Sequence, residues 1–75
     1  MLHEKKGMLL LQVYDSLTKK EHLNRSEFCQ EHGISLPTFY RYLADIRAFL
    51  MENHPNYILV FDSSEQAYYL REGLH

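Results

Sequence analysis

The sequence predicts a mainly α, α+β domain: three helices followed by a two-stranded β-hairpin. Two observations predict it. Apolar residues recur at helical spacing up to about residue 53, and from Tyr57 onward the pattern becomes that of strands. Within the helical part, two short patterns meet at His32-Gly33-Ile34-Ser35, a glycine turn between helices.

The first helix covers about residues 5–17. Leu9, Val13 and Leu17 recur at i, i+4 and i+8, with Leu10 and Tyr14 alongside. Gln12, Asp15 and Ser16 fall off that face, and residues 18–22 read as a polar loop. The second helix covers 25–32. Asn24 is its N-cap, and Glu27 follows three residues later as in a capping box. Leu23 before the cap and Phe28 at the fourth helical position fit a hydrophobic staple. Gly33 ends the helix, where a left-handed residue is needed.

The third helix covers 36–53. Ser35 caps it, and Pro37 is tolerated in the first turn because that N–H has no helical partner. Phe39, Leu43, Ile46 and Leu50 form its inner stripe, widened by Tyr42 and Phe49. Pro55 lies just beyond its end. The runs 57–61 and 67–71, apolar and aromatic, flank the polar segment Asp62-Ser63-Ser64-Glu65-Gln66 and predict the hairpin. Three helices then a hairpin is the order of a winged helix-turn-helix, with the hairpin as the wing packed on helices one and three.

Seventy-five residues allow one domain. A core of this size supplies only about 3–5 kcal/mol. The chain is therefore expected either to dimerise or to be cut from a longer protein. Net charge is −2. Residues 18–47 hold five basic against four acidic side chains, while residues 48–75 hold one against four. The weak positive balance coincides with the helix-turn-helix, and the tail is acidic. Cys29 is the one cysteine, so no intrachain disulfide forms and a reducing, cytoplasmic setting is expected. Met8-Leu9-Leu10-Leu11 is far too short to span a membrane.

A recognition helix presents its early outward residues to the major groove while its inner face holds the domain together. With Phe39 and Leu43 inward, Pro37, Thr38 and Arg41 face outward, and Tyr40 lies at the flank, open to burial as well as to contact. Arg41 is the candidate base contact, since Arg binds guanine O6 and N7 in a bidentate way. Thr38 is placed for a phosphate or a thymine methyl, and Ser35 for capping and phosphate contact together. Arg47 would reach backbone phosphate, or remain a solvated charge. Lys19 and Lys20, with His22, make a basic loop with the same two readings. Arg25 begins the second helix, where anions are favoured.

Other chemistry finds little support. Cys29 and His32 are three apart on one helix, but no second pair completes a zinc site, and Cys29 reads as the small buried residue between two close helices. There is no Gly-rich phosphate loop, HExxH or GxSxG motif, and the carboxylates are scattered. An enzyme is not expected, and no cofactor is implied.

The pattern Leu23…Phe28-Cys29…Gly33-Ile34-Ser35…Thr38-Phe39-Tyr40-Arg41…Leu43…Ile46 resembles the helix-turn-helix of DeoR-type bacterial regulators. The long third helix and the ending Tyr68-Tyr69-Leu70-Arg71-Glu72-Gly73 are most similar to one branch, the winged helices of Mga- and AtxA-like regulators that carry PRD domains. The resemblance covers about residues 8–73. It implies a transcription-regulator domain that binds double-stranded promoter DNA, as a homodimer or alongside further domains. Ser35, Thr38, Tyr40 and Arg41 would then face the DNA. The wing tip carries Asp62 and Glu65 and no Arg or Lys, so it would repel phosphate and leave the third helix to bind. The acidic tail and its tyrosines also support an alternative, a winged-helix module that binds protein rather than DNA.

Overall fold

The computed structural model describes residues 6–19 and 21–73. Helix α1 (Lys6–Thr18) leads into a two-residue strand, β1 (Leu23–Asn24). Helices α2 (Arg25–His32) and α3 (Leu36–Asn53) follow, then the hairpin strands β2 (Tyr57–Asp62) and β3 (Ala67–Glu72). The fold is three helices followed by an antiparallel hairpin, with a small third strand, and is compatible with a winged helix. The sequence places the ends of α2, α3 and the hairpin within a residue of those observed, and the end of α1 one residue early. Residue 5, where the expected first helix begins, lies outside the described residues.

Capping explains why α2 and α3 start where they do. The Asn24 side chain accepts a hydrogen bond from the Glu27 backbone N–H at 2.9 Å. The Ser35 hydroxyl accepts one from the Thr38 N–H at 3.3 Å. Each satisfies a first-turn donor that has no helical partner. Between the helices, Gly33 takes φ 64° and ψ 38°, and its N–H and that of Ile34 both donate to the Cys29 carbonyl. A side chain at that φ costs about 1–2 kcal/mol. No atom would crowd a Cβ there, so the dihedral alone restricts the position. Gly33→Ala is expected to lose about 1 kcal/mol of stability in urea denaturation, and Gly33→Asn less, because Asn tolerates the left-handed region.

The core takes Leu9, Val13 and Leu17 from α1, Phe28 and Cys29 from α2, and Phe39, Tyr42, Leu43, Ile46 and Leu50 from α3. Leu23 of β1, Leu59 of β2 and Tyr68 of β3 close it from the sheet side. Leu10 and Tyr14 pack at its margin. The predicted α3 stripe is buried, except that Phe49 stays half-exposed and meets Tyr14 edge to face at 5.6 Å. No helix among the described residues is long and apolar enough to cross a membrane.

The sheet order is β1-β3-β2, so β3 is central and β2 is an edge. Register pairs Leu59 with Leu70 and Phe61 with Tyr68 across the hairpin, and Leu23 with Tyr68 on the other side. The short β1 strand ties the start of α2 to the wing. The turn is held from within. One Asp62 carboxylate oxygen accepts from the Ser64 N–H at 3.0 Å and from its hydroxyl at 2.7 Å, an Asx turn. Gln66 follows with φ 55°, the only non-glycine residue with positive φ among those described.

Candidate functional site

Helix α3 has one buried face and two exposed lines. Tyr40, Ala44, Arg47 and Met51 lie along one, and Pro37, Arg41, Asp45, Ala48 and Glu52 along the other. The first line lies beside the sheet: Arg47 and Met51 border a groove with Tyr57, Ile58 and Leu59 of β2. Asp45 borders a groove with Leu10, Leu11, Tyr14 and Phe49 against α1. The residues before and in the first turn, Ser35, Leu36 and Pro37, are exposed.

The sequence-predicted residues fall into two groups. Arg41 is exposed on the second turn of α3, with no hydrogen-bond or ion-pair partner among the described residues. Arg47 is exposed farther along the same helix. Ser35 and Thr38 are linked to each other: beyond the cap, the Ser35 hydroxyl donates to the Thr38 hydroxyl at 3.1 Å. Thr38 is half-buried, so less of it is exposed than its place in the sequence suggests. Lys19 pairs with Asp15 at 3.0 Å. That hydrogen bond and the carboxylate charge raise the Lys19 pKa. Both groups are well exposed, and such a pair is weak enough for a phosphate to compete. Lys20, named with it, lies outside the described residues.

Arg25 and Tyr40 belong together. Arg25 Nη1 donates to the Tyr40 hydroxyl at 2.7 Å, and Nη2 donates to Gln66 Oε1 at 2.5 Å. The guanidinium also lies over the Phe61 ring, 5.2 Å from its centroid. The Arg25 backbone N–H donates to the Gln66 carbonyl. Asn24 adds a side-chain bond to the Glu65 carbonyl at 3.1 Å. The start of α2 therefore grips α3 on one side and the wing turn on the other. As a lone charge at a helix start, Arg25 reads as an anion contact. Folded, it sets the wing against α3, and its partners lie 15 and 41 positions away. Arg25→Ala is expected to cost about 1 kcal/mol and to speed amide hydrogen exchange across residues 62–67 while the core of α3 stays protected. Unchanged exchange in the wing turn would remove this role.

The remaining singled-out residues are absorbed by packing. Cys29 is buried, its thiol donates to the Ser35 carbonyl at 3.9 Å, and burial pushes its pKa up. Its burial against the start of α3 fits the small residue expected between two close helices. The His32 ring lies 4.3 Å from that of Phe28, filling an otherwise apolar position. Tyr68 is buried against Phe61 at 4.8 Å and Phe39 at 6.0 Å. Burial, then the neighbouring Tyr40, raises its hydroxyl pKa. Tyr69 is half-buried and faces His22 at 4.7 Å.

The chain matches no family model, no curated protein and no solved structure. What the site provides is a capped helix start with one uncommitted arginine, presented beside a braced hairpin.

Proposed function

We propose that the chain is a sequence-specific DNA-binding domain of a bacterial transcription regulator, of the DeoR type and closest to the Mga- and AtxA-like branch, with α3 in the major groove. One observation carries the reading. Helix α3 enters through a left-handed glycine turn, buries one face in the core and exposes its opening residues, with Arg41 on the second turn. That is the division of labour a groove-reading helix requires. Pro37 and Arg41 would approach the bases, and Ser35 and Thr38 the backbone. Arg47 and Lys19 would reach phosphate at the margins. Arg25 and Tyr40 would act by holding the wing and helix in register.

With Arg25 committed to the wing and an acidic wing tip, one copy binds weakly. A second copy, or a further domain of a longer regulator, supplies the rest, because linked sites multiply affinity. Titration of mixed-sequence duplex into 15N-labelled protein at low salt tests the reading. Amides of residues 35–42 are expected to shift first, and binding is expected to weaken steeply as salt rises. Shifts confined to the hairpin, or no binding at low salt, would overturn it.

A second reading, a protein-interaction module, draws on the β2 edge. Tyr57, Ile58 and Phe61 are exposed there, next to unpaired backbone groups that a partner strand would pair with. On that reading duplex DNA leaves the spectrum unchanged, and Ile58→Lys abolishes capture of the partner.

A further inference from the structure

We propose that His22, Asp62 and Glu65 form a site for one divalent transition-metal ion, zinc foremost, at the tip of the wing. One donor atom from each lies within 4.8 Å of the other two. Tetrahedral ligands at about 2.0–2.1 Å from zinc stand roughly 3.4 Å apart. Small side-chain rotations at this exposed tip would close the difference.

The convergence is built by the fold rather than by local sequence. His22 precedes β1, and the two carboxylates lie some forty positions later. Pairing of Leu23 with Tyr68 and of Asn24 with Ala67 brings the segments side by side. The Asn24 bond to the Glu65 carbonyl fastens them at that residue. The His22 ring rests against Tyr69, which limits its orientation. Bonds from the Ser64 N–H and hydroxyl hold the Asp62 carboxylate in place at the turn. One imidazole nitrogen and two carboxylates are a donor set suited to zinc, iron or manganese. The two carboxylates of the wing turn carry like charges, which a cation relieves. Three protein ligands leave a coordination position open to solvent.

The site has a consequence for the DNA reading, and that part rests on it. Residues 62–66 carry two negative charges and no positive one. A bound dication brings the tip to neutrality, and its open position can take a phosphate oxygen. A wing that repels the backbone becomes one that tolerates or touches it.

The test begins without DNA. ZnCl2 is titrated into the full chain by calorimetry, with the histidine ring signals followed by NMR. One site is expected, with the His22 ring shifting and those of His32 and His54 unmoved. His22→Ala and Glu65→Gln are each expected to weaken binding at least roughly tenfold, the cost of losing even an outer partner of a ligand, with circular dichroism unchanged. No binding up to about 1 mM zinc, the millimolar end of the affinity scale, overturns the site. So does binding that neither variant affects. Duplex affinity is then measured at fixed salt with and without zinc. A gain that His22→Ala abolishes supports the neutralised wing, and an equal affinity in both conditions removes that role. Zinc binding with no DNA binding in either condition sinks the DNA reading and leaves the metal site standing.

Discussion

Phe39→Ala is expected to leave little folded protein at 25 °C. Phe39 has no exposed surface, and its ring sits 5.6 Å from Phe28 and 6.0 Å from Tyr68. It thus joins α2, α3 and the wing at one point. Removing a buried aromatic ring costs about 3–5 kcal/mol, because the cavity closes only in part. The core of a domain this small supplies about the same amount. Phe39→Leu keeps most of the volume and is expected to cost less than about 1.5 kcal/mol. Phe49→Ala, on the same helix but half-exposed, loses mainly its edge contact with Tyr14, a matter of about 0.5–1.5 kcal/mol. Urea denaturation followed by circular dichroism orders the three. If Phe39→Ala lost no more stability than Phe49→Ala, the core would not be centred where the burial places it.

The ordering bears on function because stability and presentation share residues. Phe39 adjoins Tyr40, whose hydroxyl takes the Arg25 bond. The inner face of α3 holds the core, and the next residue round the helix sets the wing. A partial loss of packing at Phe39 therefore also displaces the hairpin. Arg25→Ala, by contrast, loosens the wing while sparing the core. Comparing DNA binding by Arg25→Ala and by Phe39→Leu separates the two contributions.

What the sequence disclosed follows from how local each signal is. The limits of α2 and α3 were legible because Asn24, Gly33 and Ser35 impose capping geometry within three residues of themselves. The hairpin was legible from two β-prone runs across a polar turn. Strand β1 was not, since two residues have no periodicity and Asn24 serves as both strand end and N-cap. Helical spacing gives Phe49 a face and not its neighbour, and α1 covers only part of it. The same limit applies to the candidate site. Arg41 stands where spacing puts it. The Arg25 network and the His22–Asp62–Glu65 trio depend on the pairing of β1 with β3, and nothing near Arg25 or His22 in sequence announces a partner forty positions away.

Arg41→Ala is expected to abolish discrimination between target and random duplex while leaving the fold intact. Its side chain is exposed and makes no bond among the described residues, so removing it takes nothing from the domain. Exposed helical substitutions of this kind stay within about 0.5 kcal/mol. A bidentate contact to guanine is worth about 1–3 kcal/mol, or roughly 5- to 150-fold in affinity at 1.4 kcal/mol per tenfold. The target is first obtained by selection from random duplexes with the unaltered protein. Arg41→Lys then separates charge from geometry. Lysine keeps the positive charge but not the planar fork, so its salt dependence should match the parent while target preference falls. Arg47→Ala should do the reverse, weakening all duplexes alike and lowering the salt slope by about one. Should Arg41→Ala keep full preference for the selected site, α3 does not read bases through its second turn. If selection instead recovers no preferred duplex, the β2 edge, with Tyr57, Ile58 and Phe61 exposed, is the better account of what this domain recognises.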